Sequence, residues 1–174
     1  MNVPRSLTPI AKGKIALSNN KVSISKRFTT FPLWKGVPLQ NTYGGKAVID
    51  VGGKPVFAEL AVLNLFLNNG WRGVWVDTYG KKFRVGLPDI EKPVELPKKQ
   101  QEMLDRVSSN AGGIKGCWDL FLWKESDFLF VELKRKSKDA IRKTQIEWLE
   151  AAIKLGVSSD NFLLVEWDVK NHPK

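Results

Sequence analysis

Residues 116–134 read GCWDLFLWKESDFLFVELK: two apolar runs, each carrying one acid, with a lysine two residues after the second acid. The polar break Lys124-Glu125-Ser126-Asp127 separates the two β-prone runs and predicts a hairpin. With the turn centred on Glu125 and Ser126, Asp119 falls opposite Glu132. Directly opposed residues share a face with Cβ atoms roughly 4.5–5.5 Å apart, and the period of two places Lys134 on that same face. The remaining side chains are apolar on both sides. Cys117, Phe121, Phe128 and Phe130 share one face, while Trp118, Leu120, Leu122, Leu129, Val131 and Leu133 take the other, a pattern of interior strands covered above and below.

Two carboxylates side by side in such surroundings repel one another and lose hydration, so a cation is expected among them. A hard divalent ion, Mg²⁺ or Mn²⁺, suits oxygen donors. The plainer alternative is a Glu132–Lys134 ion pair at a sheet edge, with Asp119 facing water at a strand end. Downstream, Thr144-Gln145-Ile146-Glu147 has the form of a capping box that opens a helix running to about Leu155 and stopped by Gly156. Gln145, Trp148, Leu149 and Ala152 share the core-facing side of that helix. A core-facing amide needs a polar partner. A group in the acid cluster, a nucleic-acid phosphate or a nearby backbone carbonyl would each serve.

The order G-x-x-D, hairpin, E-x-K, then a helix opening with Gln and a Trp three residues later resembles the PD-(D/E)XK nuclease superfamily, most closely its VRR-NUC branch. The matching residues are Gly116 and Asp119, Glu132 and Lys134, and Gln145 and Trp148. The resemblance reaches back to Glu59, on an amphipathic stretch that begins after Pro55 and closes at Asn69-Gly70. In such nucleases a glutamate of the first core helix points at the metal, and Glu59 matches that role; a solvated helix-face acid is the alternative. One position departs from the family, because the residue before the first acid, commonly proline, is Trp118. The Pro-Asp pair that is present, Pro88-Asp89, lies in a proline-rich segment without a strand pattern and reads as a loop.

The resemblance implies a restriction-endonuclease-like α/β fold, with a mixed central sheet flanked by helices in the order α-β-β-β-α-β. It implies an Mg²⁺-dependent endodeoxyribonuclease, with Mn²⁺ able to substitute. Asp119, Glu132, the Leu133 carbonyl and Glu59 would hold metal, and Lys134 and Gln145 would complete the catalytic set. Structure-selective cutting of branched DNA, such as a flap or four-way junction, by a homodimer is the activity implied. A DNA-binding module with an idle core is an alternative of a different class, and a sequence-specific restriction-type nuclease a third.

Charge is unevenly spread. Residues 1–54 contain Arg5, Lys12, Lys14, Lys21, Lys26, Arg27, Lys35, Lys46 and Lys54 against the single acid Asp50, so this end carries most of the net charge of +10. It reads as a basic arm, residues 1–54, ahead of a nuclease-like domain, residues 55–174. Such asymmetry suggests attraction to a polyanion, nucleic acid first. Lys12, Lys14, Lys21, Lys26 and Arg27 are the arm's candidate contacts. A second cluster, Arg135, Lys136, Lys138, Arg142 and Lys143, follows the E-x-K motif. The alternation of Ile15, Leu17, Val22 and Ile24 about Ser18-Asn19-Asn20-Lys21 predicts a hairpin within the arm, which could grip DNA or a neighbouring subunit.

The lone cysteine, Cys117, excludes a disulfide scaffold and a cysteine zinc cluster and points to an intracellular setting. The lone histidine, His172, leaves no Ser-His-Asp arrangement, so catalysis would run through carboxylates and lysine. No run approaches the ~18 apolar residues of a membrane span. Gly44-Gly45 and Gly112-Gly113 read as turns. Helices are expected at about residues 56–69 and 98–109, with strands at Gly73–Asp77, Phe83–Val85 and Phe162–Trp167.

Overall fold

The computed structural model describes residues 3–170. His172 lies outside them. The chain folds as mixed α/β, with a seven-stranded mixed sheet at its centre and three α-helices among the described residues. The expected elements are present: α1 (Ala58–Leu67), β5 (Arg72–Asp77), β6 (Lys82–Arg84), α2 (Lys98–Asn110), β7 (Leu120–Lys124), β8 (Asp127–Arg135), α3 (Lys143–Lys154) and β9 (Phe162–Val169). The first third supplies β1 (Ala11–Ala16) and β2 (Lys21–Phe31), and then a separate ribbon of β3 (Val48–Asp50) and β4 (Pro55–Phe57).

The sheet order is β1-β2-β9-β8-β7-β5-β6, with β9 parallel to both β2 and β8 and the other pairs antiparallel. Residues read as an arm therefore build the main sheet. The Ser18–Lys21 hairpin forms as expected, but β2 runs on to Phe31 and pairs with β9 from Ser25 to Phe31. Ile24 and Phe31 are buried, so this end of the chain is tied down by apolar burial as well as by ladder hydrogen bonds.

Each face of the sheet carries its own core. On one, α1 lays Leu60, Leu63 and Phe66 against Leu120, Leu122, Leu129 and Val131. On the other, α2 and α3 pack Leu104, Val107, Trp148 and Leu149 onto Phe121 and Phe130. Period-two alternation along β7 and β8 produces this division, as the sequence predicts. Trp118 is the exception: it lies with Phe121 and Phe130, not with Leu120. The alternation does not reach it because Ile114–Gly116 form a 3-10 turn and β7 begins only at Leu120. Its ring meets Phe162 edge-on at 4.8 Å, and its indole N–H donates to the Gln145 carbonyl at 3.3 Å.

Phe121, Phe130 and Phe162 stack in a row at 4.9 and 5.3 Å, and Trp148 meets Phe130 edge-on at 5.9 Å. The Trp of the Gln-x-x-Trp pattern is thus a packing anchor that seats the start of α3. Gly116 serves the same docking, since a Cβ there would lie 2.0 Å from the Thr144 carbonyl oxygen. Gly116→Ala is expected to lower stability by about 1–3 kcal/mol through this backbone clash, read by urea unfolding. An unchanged midpoint would show that α3 can shift without loss.

Candidate active site

The turn of the β7–β8 hairpin falls where the sequence puts it, with Lys124 paired to Asp127 and Glu125 at φ 54. Extending that register by one pair beyond Leu120 and Val131 brings Asp119 opposite Glu132. Asp119 then ties three strands together. Its carbonyl accepts from the Val76 N–H at 2.8 Å, its carboxylate accepts from the Leu133 N–H at 2.9 Å, and its own N–H donates to Glu132 Oε2 at 3.3 Å.

Glu132 is completely buried, and both its carboxylate oxygens accept hydrogen bonds. Lys134 Nζ lies 2.7 Å from its Oε1, and Gln145 Nε2 donates to the same oxygen at 2.7 Å. Of the partners open to Gln145, the structure selects the acid cluster. The amide is oriented from both ends, because its Oε1 accepts from the Arg142 N–H at 2.9 Å. Arg142 is therefore the N-cap of α3, where the sequence suggests Thr144 with Glu147. Glu147 instead faces outward and pairs with Lys143 at 3.7 Å. The box shifts because satisfying Glu132 holds Gln145, and so the first turn, against β8.

Glu59 enters from the other layer, on the first turn of α1. It is not a solvated helix-face acid: it is buried and ion-paired with Lys46. Lys46 was not singled out by the sequence as a site residue. It comes from the turn 43–46, seventy-odd residues before Asp119, and Gly44-Gly45 signals a turn without saying where the turn points. Tyr43 fixes the loop. Its hydroxyl donates to Asp77, which also accepts from Arg84 Nε at 3.0 Å and the Gly80 N–H at 2.8 Å, and its ring meets Trp75 edge-on at 5.6 Å.

The electrostatics follow from the packing. Burial, then Glu59, lifts the Asp119 carboxyl to about 6, against the pull of the Leu133 N–H, Lys46 and Lys134. Burial and Asp119 lift Glu132 well above the usual carboxylate range, although Lys134 opposes them. Burial works against the Lys46 ammonium, but Glu59, with help from Asp119 and Glu132, holds it above its ordinary value. Burial likewise pushes Asp77 up, and Tyr43, Gly80 and Arg84 together more than reverse it. The acid cluster is short of positive charge; the Asp77 cluster is self-sufficient and structural.

The acids form the floor of a cleft of about 1920 Å³ whose rim carries Lys46, Lys81, Lys115, Arg135, Lys138 and Arg142. That is larger than the roughly 300–1,000 Å³ typical of small-ligand pockets. Gly44-Gly45 and Gly112-Gly113, turns as expected, also border it. The other basic residues lie elsewhere. Lys12 and Lys14 sit on β1 and Lys21 at the start of β2, at the far edge of the sheet. Lys26 pairs with Glu166 at 2.7 Å, Arg27 donates to the Thr8 carbonyl at 3.3 Å, and Lys136 lies over Phe28 at 5.0 Å. Pro88-Asp89 is a turn between β6 and α2, where Asp89 accepts from Asn41 at 3.3 Å.

Compared with known proteins, the chain matches no family model, no curated protein and no solved structure. Among the described residues no helix is long and apolar enough to cross a membrane, and no three His, Cys, Asp or Glu side chains are already grouped as around a bound metal. The geometry itself offers a carboxylate pair with raised proton affinity, a third acid, two lysines and an oriented amide, under a basic rim.

Proposed function

We propose that this chain is a metal-dependent endonuclease of restriction-endonuclease-like fold, hydrolysing phosphodiester bonds in DNA. Branched DNA is the proposed substrate and a homodimer the proposed assembly. The observation that carries this reading is the convergence of Glu59, Asp119, Glu132, Lys134 and Gln145, from α1, the residue just before β7, β8 and α3, on the floor of one basic-rimmed cleft. The residues suit a hard divalent ion in donor type and charge. Asp119, Glu132 and Glu59 would hold it, with the Leu133 carbonyl as the further oxygen, and the raised carboxyls mark a deficit of positive charge that such an ion relieves. Cys117 does not compete, because burial pushes its thiol well above the ordinary range.

When bound, the ion would polarise the phosphate and ease ionisation of the attacking water. The chain's own residues supply the rest. The rim draws the phosphate backbone into the cleft. Lys134 Nζ, held on Glu132 Oε1, orients the water and compensates charge developing on the phosphate. Gln145, fixed through Arg142, keeps Glu132 and Lys134 in place. Glu59 lies in the first turn of α1, where the helix dipole favours its negative charge.

A DNA-binding module is the second reading, favoured by the ammonium groups that already pair with Glu132 and Glu59. Labelled duplex, single-stranded, flap and four-way-junction DNA, incubated with Mg²⁺, Mn²⁺ or EDTA beside a Glu132→Gln control, separates the two. Cutting is expected with metal, not with EDTA and not in the control. Salt-sensitive binding without cutting under any metal would replace the nuclease with the binding module.

A further inference from the structure

Lys46 has no role in the catalytic set above, yet the loop that carries it is built to aim it. Tyr43 is locked to Asp77 and packed on Trp75, the Lys46 N–H donates to the Thr42 carbonyl at 2.8 Å, and beyond Lys46 the chain enters β3. Between anchor and lysine stand Gly44 and Gly45, at φ 84 and 85 and with open space where a side chain would lie. The ammonium reaches past the Trp75 ring, 5.5 Å from its centroid, to pair with Glu59 inside the cleft.

We propose that Lys46 is the resident counter-cation of the acid cluster and that a divalent ion enters by displacing it from Glu59. The inference rests on the metal-dependent reading of the site. An ammonium close on Glu59 Oε1 competes with a metal ion for that carboxylate, because like charges at such range repel. An ammonium is a compact point charge on a flexible stem, so it can leave while Tyr43 stays anchored, and the glycines give the loop room to turn. Once released, the ammonium remains at the cleft rim, where a substrate phosphate is its natural partner.

The test is Mn²⁺ binding to the full chain without nucleic acid, followed by the electron paramagnetic resonance of free Mn²⁺, for wild type, Lys46→Met and Lys46→Arg. Methionine keeps the length of the stem and removes the charge, and should tighten binding roughly 10–100-fold, the scale on which neighbours of metal ligands act. Arginine keeps the charge and should bind no tighter than wild type. Binding by Lys46→Met equal to or weaker than that of a metal-binding wild type overturns the displacement and leaves the nuclease reading standing. No binding by any of the three overturns both. Should Lys46→Met fail to fold, wild type with ¹³C-dimethylated lysines gives the same answer: the resonance lost in Lys46→Arg should move on adding Mg²⁺, and a fixed resonance at saturating metal overturns the inference.

Discussion

Lys134→Ala is expected to keep the fold and to lower cleavage by about 10²–10⁴-fold, the contribution usual for a positioned group acting on the reacting proton. The fold survives because the Glu132 carboxyl, already raised well above its ordinary range, takes up a proton when its ammonium partner is removed. A neutral acid bonded to Gln145 and to the Asp119 N–H needs no counter-charge. Cleavage does not survive, since alanine offers neither charge nor a hydrogen bond to water. Lys134→Arg divides these roles. Arginine retains the charge but does not give up its proton, so substantial cutting by this variant would make the lysine an electrostatic group alone. Rates on the preferred DNA, with circular dichroism as a check on folding, decide it. Wild-type cutting by Lys134→Ala would place the chemistry elsewhere.

Local pattern made the centre of this site legible and long-range geometry hid its edge. Asp119 and Glu132 could be set opposite one another because a short polar break between two apolar runs fixes the register to a single pair. Gln145 could be placed on the core side by its spacing from Trp148. Lys46 could not be found in this way, because its position depends on Tyr43 reaching Asp77, a contact between segments with no shared periodicity. The parallel pairing of β2 with β9 was hidden for the same reason. Basic residues concentrated in residues 1–54 drew attention to that stretch, and β1 and β2 do hold many of them. Yet the cleft takes one basic residue of that stretch, Lys46, and gathers it with Lys81, Lys115, Arg135, Lys138 and Arg142 from later in the chain. Counting charge along a sequence weighs clusters, whereas folding weighs proximity.

The crowding of acids has a cost in stability that can be measured. Asp119→Asn should abolish metal-dependent cutting and, without metal, should make the protein more stable than wild type above pH 6. Asparagine keeps an oxygen for the Leu133 N–H, so the hydrogen bond at 2.9 Å persists while the charge is lost. In wild type the Asp119 carboxyl is raised to about 6 from 3.8, so the unfolded chain releases this proton first as pH rises. The stability tied to the proton is fully present below about pH 4 and is lost as pH climbs through 6. A shift of that size corresponds to about 3 kcal/mol at most, and a partly hydrated carboxyl should return about 1–2 kcal/mol. Glu132, raised in the same direction, adds to the slope in both proteins. Urea unfolding at pH 4, 6 and 8 at constant ionic strength should therefore show the two proteins converging in acid and separating toward pH 8. Mg²⁺ should then close the gap by stabilising wild type more than the variant, since binding to the folded state alone shifts the equilibrium toward it. A variant less stable than wild type at pH 8 would mean that the carboxylate's bonds outweigh its repulsions, and that the cluster is already balanced without a metal ion.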